Sequence, residues 1–186
     1  MMKLLSRFRT DQQGSFSVET VIIFPLLAWV LVFVLVAWDG YKLKGAATNA
    51  TYTIGDLISR QSSVDEDFIK GMERIFTRIS QRADATDIRV TVVMLRARQN
   101  QDPVLEVVWS DSTGTLEEHT TVDTFRDKVP LMAPGSSLIY VETTASWTPP
   151  LRLQAFEGHK FTTNAFFSPR YLALLPHLDR STDELT

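Results

Sequence analysis

The stretch Gly14-Ser-Phe-Ser-Val-Glu19-Thr20, continued by Val21-Ile-Ile-Phe-Pro-Leu-Leu-Ala-Trp-Val-Leu-Val-Phe-Val-Leu-Val-Ala-Trp38, decides how this chain is read. From Val21 to Trp38 there are 18 residues with no charge and no strongly polar group. As a helix they span about 27 Å, close to the thickness of a hydrocarbon core. Glu19 stands two residues before the run, and Gly14 five residues before Glu19. Downstream of Asp39 the composition is that of an ordinary soluble domain.

Three readings compete for the stretch. A secretory signal peptide would be removed after the apolar core, with Gly45-Ala46-Ala47 as a cut site. Its core of about 7–15 residues is shorter than this run. A plain single-pass anchor is the second reading. Lys3, Arg7 and Arg9 precede the run and keep the N-terminus cytoplasmic, a bias that Lys42 and Lys44 weaken without reversing. The third reading also explains Gly14 and Glu19. Cleavage after Gly14 makes Ser15 a new N-terminus with a free amine, one helical turn before Glu19. A carboxylate at the edge of a bilayer needs a partner, and that amine, on the same or a neighbouring subunit, is one. Basic leader, Gly14, Glu19 and an unbroken apolar run together describe a type IV prepilin signal. Pro25 removes one helical hydrogen bond and predicts a kink, which serves either as a hinge or as nothing more than a bend.

On these residues the segment resembles the TadE/TadF family, the minor pseudopilins of the tight-adherence (Tad) pilus. Gly14, Glu19 and Pro25 stand at the family's motif positions, Asp39-Gly40 fits the acidic-Gly pair that closes the run, and Gly45 to Ala50 resembles the Asn-Ala-rich continuation. Major Flp-type pilins place Tyr after the Glu, where Thr20 stands here, and are much shorter. Ser146-Trp147-Thr148-Pro149 and Phe166 to Arg170 add a looser similarity near the C-terminus. The resemblance implies processing by a prepilin peptidase at Gly14 and Ser15, and assembly through Glu19 and Pro25. The implied partners are membrane lipid, other pseudopilins, the Flp-type major pilin and an inner-membrane assembly platform.

Composition sets outer bounds. The chain has 186 residues, a 44% apolar content ample for a core, and formal charge −3. Residues 1–14 carry +2, so the processed product would carry −5, which does not suit nucleic-acid binding. Cysteine is absent, which excludes disulfides, thiol catalysis and zinc–thiolate sites.

Past Gly40, Leu43, Ala47, Ala50, Ile54 and Leu57 recur at helical spacing, so the helix is expected to continue, with Gly45 and Gly55 as possible breaks. Ser63 with Glu66 reads as a capping box opening a helix over 64–82, with Val64, Phe68, Met72, Ile75 or Phe76 and Ile79 inward. Strands are expected at 88–94 and 104–109, after a turn at Gln99 to Pro103, then at 137–148 and 159–167. Thr115 to Thr121 reads as edge strand or loop, Val122 to Lys128 as a short helix, and the tail after His177 as mobile.

No catalytic or metal motif is present. His119, His159 and His177 lack ligand spacing and read as surface residues, and no nucleophile elbow or phosphate loop occurs. The expectation is therefore a non-enzymatic α+β protein of pilin-like plan without cofactor or metal. A leader (1–14) and a transmembrane helix (15–40) precede a periplasmic domain (41–186) with a second helix and an antiparallel sheet of about four strands. The rival readings are a minor pseudopilin of a type II secretion system and a membrane-anchored periplasmic enzyme or binding domain.

Overall fold

The computed structural model describes residues 13–81, 83–98, 101–151 and 159–180. Residues 1–12, where most of the expected leader falls, Arg82, Gln99 and Asn100, residues 152–158 and the last six residues lie outside them, as do the side chains of residues 13–17, Arg98 and Gln101. Among the described residues two α-helices and four strands follow in the order α1 (Gln13–Ser59), α2 (Glu66–Ile79), β1 (Thr86–Arg98), β2 (Gln101–Ser112), β3 (Ser137–Trp147) and β4 (His159–Phe167). The strands form one antiparallel sheet in the order β2-β1-β3-β4. By its contacts the chain divides into two units, residues 1–39 and 40–186.

α1 is a single helix of 47 residues that passes Pro25, Gly45 and Gly55 without interruption. In the first unit its side chains from Val18 to Trp38 are mostly exposed and apolar, for example Phe24 at 69% and Trp29 at 64%. It is, among the described residues, the one helix long and apolar enough to cross a membrane. Such a surface is costly to leave in water and is of the kind that lipid or other apolar helices cover.

In the second unit the later half of α1 and all of α2 lie on one face of the sheet. Leu43, Ala47, Ala50, Ile54 and Ile58 are buried along α1; Ile58 replaces the expected Leu57, which is only partly buried. Thr51 Oγ1 meets Thr143 Oγ1 of β3 at 2.7 Å in this interface. α2 buries Ile69, Met72 and Phe76, and shares its core with Ile88, Val90, Val92 and Trp109 of β1 and β2. Ile79, expected inside, is exposed at 36%.

The start of α2 differs from the sequence expectation. Its N-cap is Asp65, whose Oδ1 accepts from the Phe68 amide at 2.7 Å, not Ser63. Val64 cannot enter the helix because both its backbone groups pair with the C-terminal segment. Its amide donates to the Pro176 carbonyl, and its carbonyl accepts from the Leu178 amide. Asp179 then caps the Glu66 amide at 3.1 Å. Residues 178–180, expected to be loose, are therefore fastened to the domain.

Gly55 lets the Phe167 ring of β4 lie directly against the α1 backbone. A Cβ there would sit 1.9 Å from the Phe167 ring, whereas one on Gly45 would meet nothing within 4 Å. Gly45→Ala is expected to raise unfolding free energy by about 0.5–1 kcal/mol through helix propensity. Gly55→Leu is expected to lower it by about 1–3 kcal/mol through overpacking. Thermal melts of the two full-length variants in detergent check the opposite signs.

The other sheet face carries a smaller core of Val93, Val122, Phe125 and Tyr140. The irregular segment between β2 and β3 covers it; this segment contains the expected short helix only as one 3-10 turn, Arg126–Lys128. Thr115 to Thr121 is loop, and Gly114 turns it with φ 65°, a left-handed conformation that glycine adopts without strain.

Candidate functional site

Gly14, Ser15, Glu19 and Pro25 all lie on α1. Gly14 and Ser15 lie in the first described turn of the helix, which is described from Gln13. Helical backbone from Ser15 to Glu19 sets these positions one above the other, about 6 Å apart along the axis. Glu19 is exposed, as is the apolar surface that follows it. Pro25 has no amide hydrogen to give, so the Val21 carbonyl loses its usual helical partner. The four residues thus share one helix, with Glu19 between Gly14–Ser15 and the apolar run.

Two buried polar clusters in the second unit were not anticipated. Glu142 on β3 is the hub of the first. Its Oε2 accepts from Arg89 Nε at 2.8 Å and Nη2 at 2.5 Å, and from His119 Nε2 at 2.9 Å. Its Oε1 accepts from the Tyr140 hydroxyl at 2.7 Å. The strand register sets Arg89 directly opposite Glu142, with Asn164 of β4 on the far side. His119 Nδ1 faces Thr124 Oγ1 at 3.2 Å, and the ring lies tilted against Phe125 and stacks with Tyr140. Burial opposes ionisation of Glu142, but the hydrogen bonds from Tyr140, His119 and Arg89 outweigh it and hold the carboxyl below its ordinary value. Burial, then the adjoining Glu142 carboxylate, push the Tyr140 hydroxyl above its ordinary value.

Asp111 at the end of β2 organises the second cluster. Its Oδ2 accepts from His177 Nε2 at 3.1 Å, and its Oδ1 from Arg180 at 3.3 Å. His177 Nδ1 accepts from the Asp179 amide, and its ring lies edge-on to Trp109 at 5.0 Å. Arg180 also clasps Glu118 through both carboxylate oxygens. Its hydrogen bond holds the Glu118 carboxyl below the ordinary value, against the opposing effect of burial.

Both histidines were expected at the surface, and both are enclosed, while His159 is exposed. Each enclosed ring has both nitrogens engaged, and Glu142 has both oxygens engaged. These clusters therefore act as fasteners. The first pins the β2–β3 segment to the sheet, and the second pins the C-terminal segment. Among the described residues no group of three His, Cys, Asp or Glu side chains could hold a metal ion. A sequence signal for the first cluster existed: Glu142 is a lone charge inside an otherwise uncharged strand, Ser137 to Trp147.

Comparison with known proteins adds no relative: no family model, no curated protein and no solved structure matches the chain.

Proposed function

We propose that this chain is a minor pseudopilin of TadE/TadF type, an assembly subunit for a Tad, Flp-type adhesive pilus. One observation carries the reading: the apolar helix runs without a break into the folded core. A signal peptide cut after Ala47 would divide α1 inside its buried stripe, since Ala47 is only 1% exposed and Ala50 and Ile54 follow it in the core. An anchor built into the fold fits a pilin-like plan, in which one helix is both membrane segment and core element. Gly14 and Ser15 serve a prepilin peptidase of the inner membrane, and the domain after α1's apolar half stands on the periplasmic side. Glu19 pairs with an N-terminal amine to bring subunits into register, and Pro25 bends the helix within the assembly. Partners are other pseudopilins, the major pilin and the inner-membrane platform.

The mass of the mature protein tests this. A start at Ser15 is expected; a start after Ala47, or an intact Met1 or Met2, would rule out pilin-type processing. Glu19→Gln tests the assembly role separately. Cleavage should continue because the scissile bond is untouched, while co-purification with other pilus subunits and pilus number should fall. Near a membrane the lost ion pair exceeds the ~0.2–1 kcal/mol of exposed pairs. Normal piliation in Glu19→Gln cells would remove the role assigned to this carboxylate.

A further inference from the structure

Three contacts give the sheet a depth scale along α1. A Cβ on Gly40 would lie 3.1 Å from the ring of Trp147, the last residue of β3. Thr51 Oγ1 meets Thr143 Oγ1 at 2.7 Å, and Gly55 lies against Phe167 of β4, the cross-strand partner of Ile139. From Gly40 to Gly55 α1 rises about 22 Å, and β3 from Trp147 back to Ile139 covers about 26 Å. β3 therefore runs alongside α1 in the opposite direction, and its Trp147 end is the end next to the apolar run. Gly40 itself stands two residues past Trp38, about 3 Å of helical rise. Trp147 thus meets α1 at the level where the helix leaves a bilayer.

The residues at this end suit that level. Trp147 neighbours Phe161, and Phe161 neighbours His159, with ring centroids 6.2 and 6.3 Å apart. His159 and Lys160 of β4 are exposed, and so is Leu151, an apolar side chain four residues past Trp147. Asp84 stands beside them, its amide donating to the Ser146 carbonyl at 3.0 Å. Aromatic and apolar groups mixed with charges are costly in a hydrocarbon core but suit the headgroup layer. We propose that this end of the sheet, with Leu151 and His159 outermost, rests in the interfacial layer of the bilayer as a second membrane contact beside α1. Lipid is the occupant because a bilayer around Val21 to Trp38 already reaches the level of Gly40, whereas a second copy would have to be brought there. Held at two places, the domain keeps one orientation over the membrane, where a single helix would let it swing. The inference rests on α1 spanning the membrane, and not on peptidase processing or pilus assembly.

The chain lacks cysteine, so one introduced cysteine carries one fluorescent label. Full-length Leu151→Cys, Asp102→Cys and Val30→Cys are labelled with nitrobenzoxadiazole and placed in phosphatidylcholine vesicles. Lipids bearing a nitroxide near the headgroup or at mid-chain then quench whatever label they reach. Val30 lies in the apolar run, and Asp102 lies beyond the far end of β3, past the Met94–Ser137 pair. Headgroup nitroxide is expected to quench the label at 151 about threefold more than the label at 102. No mid-chain quenching at 30 would overturn the span on which the inference rests. Quenching at 30 with equal quenching at 151 and 102 would overturn the contact itself. A label at 151 shielded from both nitroxide lipid and aqueous iodide, and more so at higher protein-to-lipid ratio, would give this end to a second copy and overturn the assignment to lipid. Thr148→Cys combined with Leu151→Asp is an independent readout. Quenching at 148 should fall about twofold relative to Thr148→Cys alone, at unchanged melting temperature. Unchanged quenching would remove Leu151 from the contact.

Discussion

Replacing Glu142 with leucine is expected to lower the unfolding free energy of the domain by about 3–5 kcal/mol, the range for breaking a buried ion pair from one side. The loss is large because the leucine leaves Arg89, His119 and Tyr140 with donors pointing at an apolar group. The side chains of Arg89 and Glu142 are only 15% and 8% exposed, so water cannot take the carboxylate's place. Removing Arg89 as well, in an Arg89→Met/Glu142→Leu pair, should recover part of the loss, since the uncompensated charge goes with it. Acid should reproduce the effect in the wild type. The folded state holds the Glu142 carboxyl below its ordinary value, so the unfolded chain takes up the proton first as pH falls. The stabilisation is therefore present above the ordinary glutamate range and disappears as pH drops through the folded value. Melting temperature measured across that range by circular dichroism should fall in the wild type and fall less in Glu142→Leu. A variant melting at the wild-type temperature at neutral pH would show that the hub does not hold the β2–β3 segment.

The second large effect concerns processing and is close to all-or-none. Gly14→Leu is expected to leave the precursor uncut in a host with an active prepilin peptidase, while the protein still inserts in the membrane. A peptidase must bring its groups against the backbone at the scissile bond, and glycine alone presents no side chain there. Val21 to Trp38 is untouched by the change, so insertion is unaffected. Intact mass of the membrane fraction decides the outcome. Product beginning at Ser15 in Gly14→Leu cells would exclude cleavage of the proposed kind.

The elements whose identity depends on near neighbours along the chain were legible in advance. The apolar run needs only its own length and lack of charge, and the alternation in 88–94 and 137–147 needs only the two-residue period of a strand. Both survive in the structure, as do the bounds of the last strand, His159–Phe167. α1 continues past Gly45 and Gly55 because tertiary burial outweighs the propensity loss of two glycines, about 1 kcal/mol each. Gly55 is needed there: the sheet's Phe167 occupies the space a side chain would take.

What only the tertiary structure decided involves partners far apart in sequence. Asp65 displaces Ser63 as the cap because Val64 is already paired with residues 176–178, and Asp179 reaches the Glu66 amide across 113 positions. His119 and His177 are enclosed because Glu142 and Asp111 wait for them inside, the latter 66 residues from its histidine. Neither pairing has a local period, so no window of sequence contains its cause. The motif of Gly14, Glu19 and Pro25 is the reverse case: its chemistry is written within a dozen residues of one helix, and folding adds only the continuity of that helix with the core. Sequence thus determined the membrane-length helix and the strands, by local period and polarity. The fold decided which polar groups were buried, because burial of a charge is settled by whatever donor the rest of the chain can bring to it.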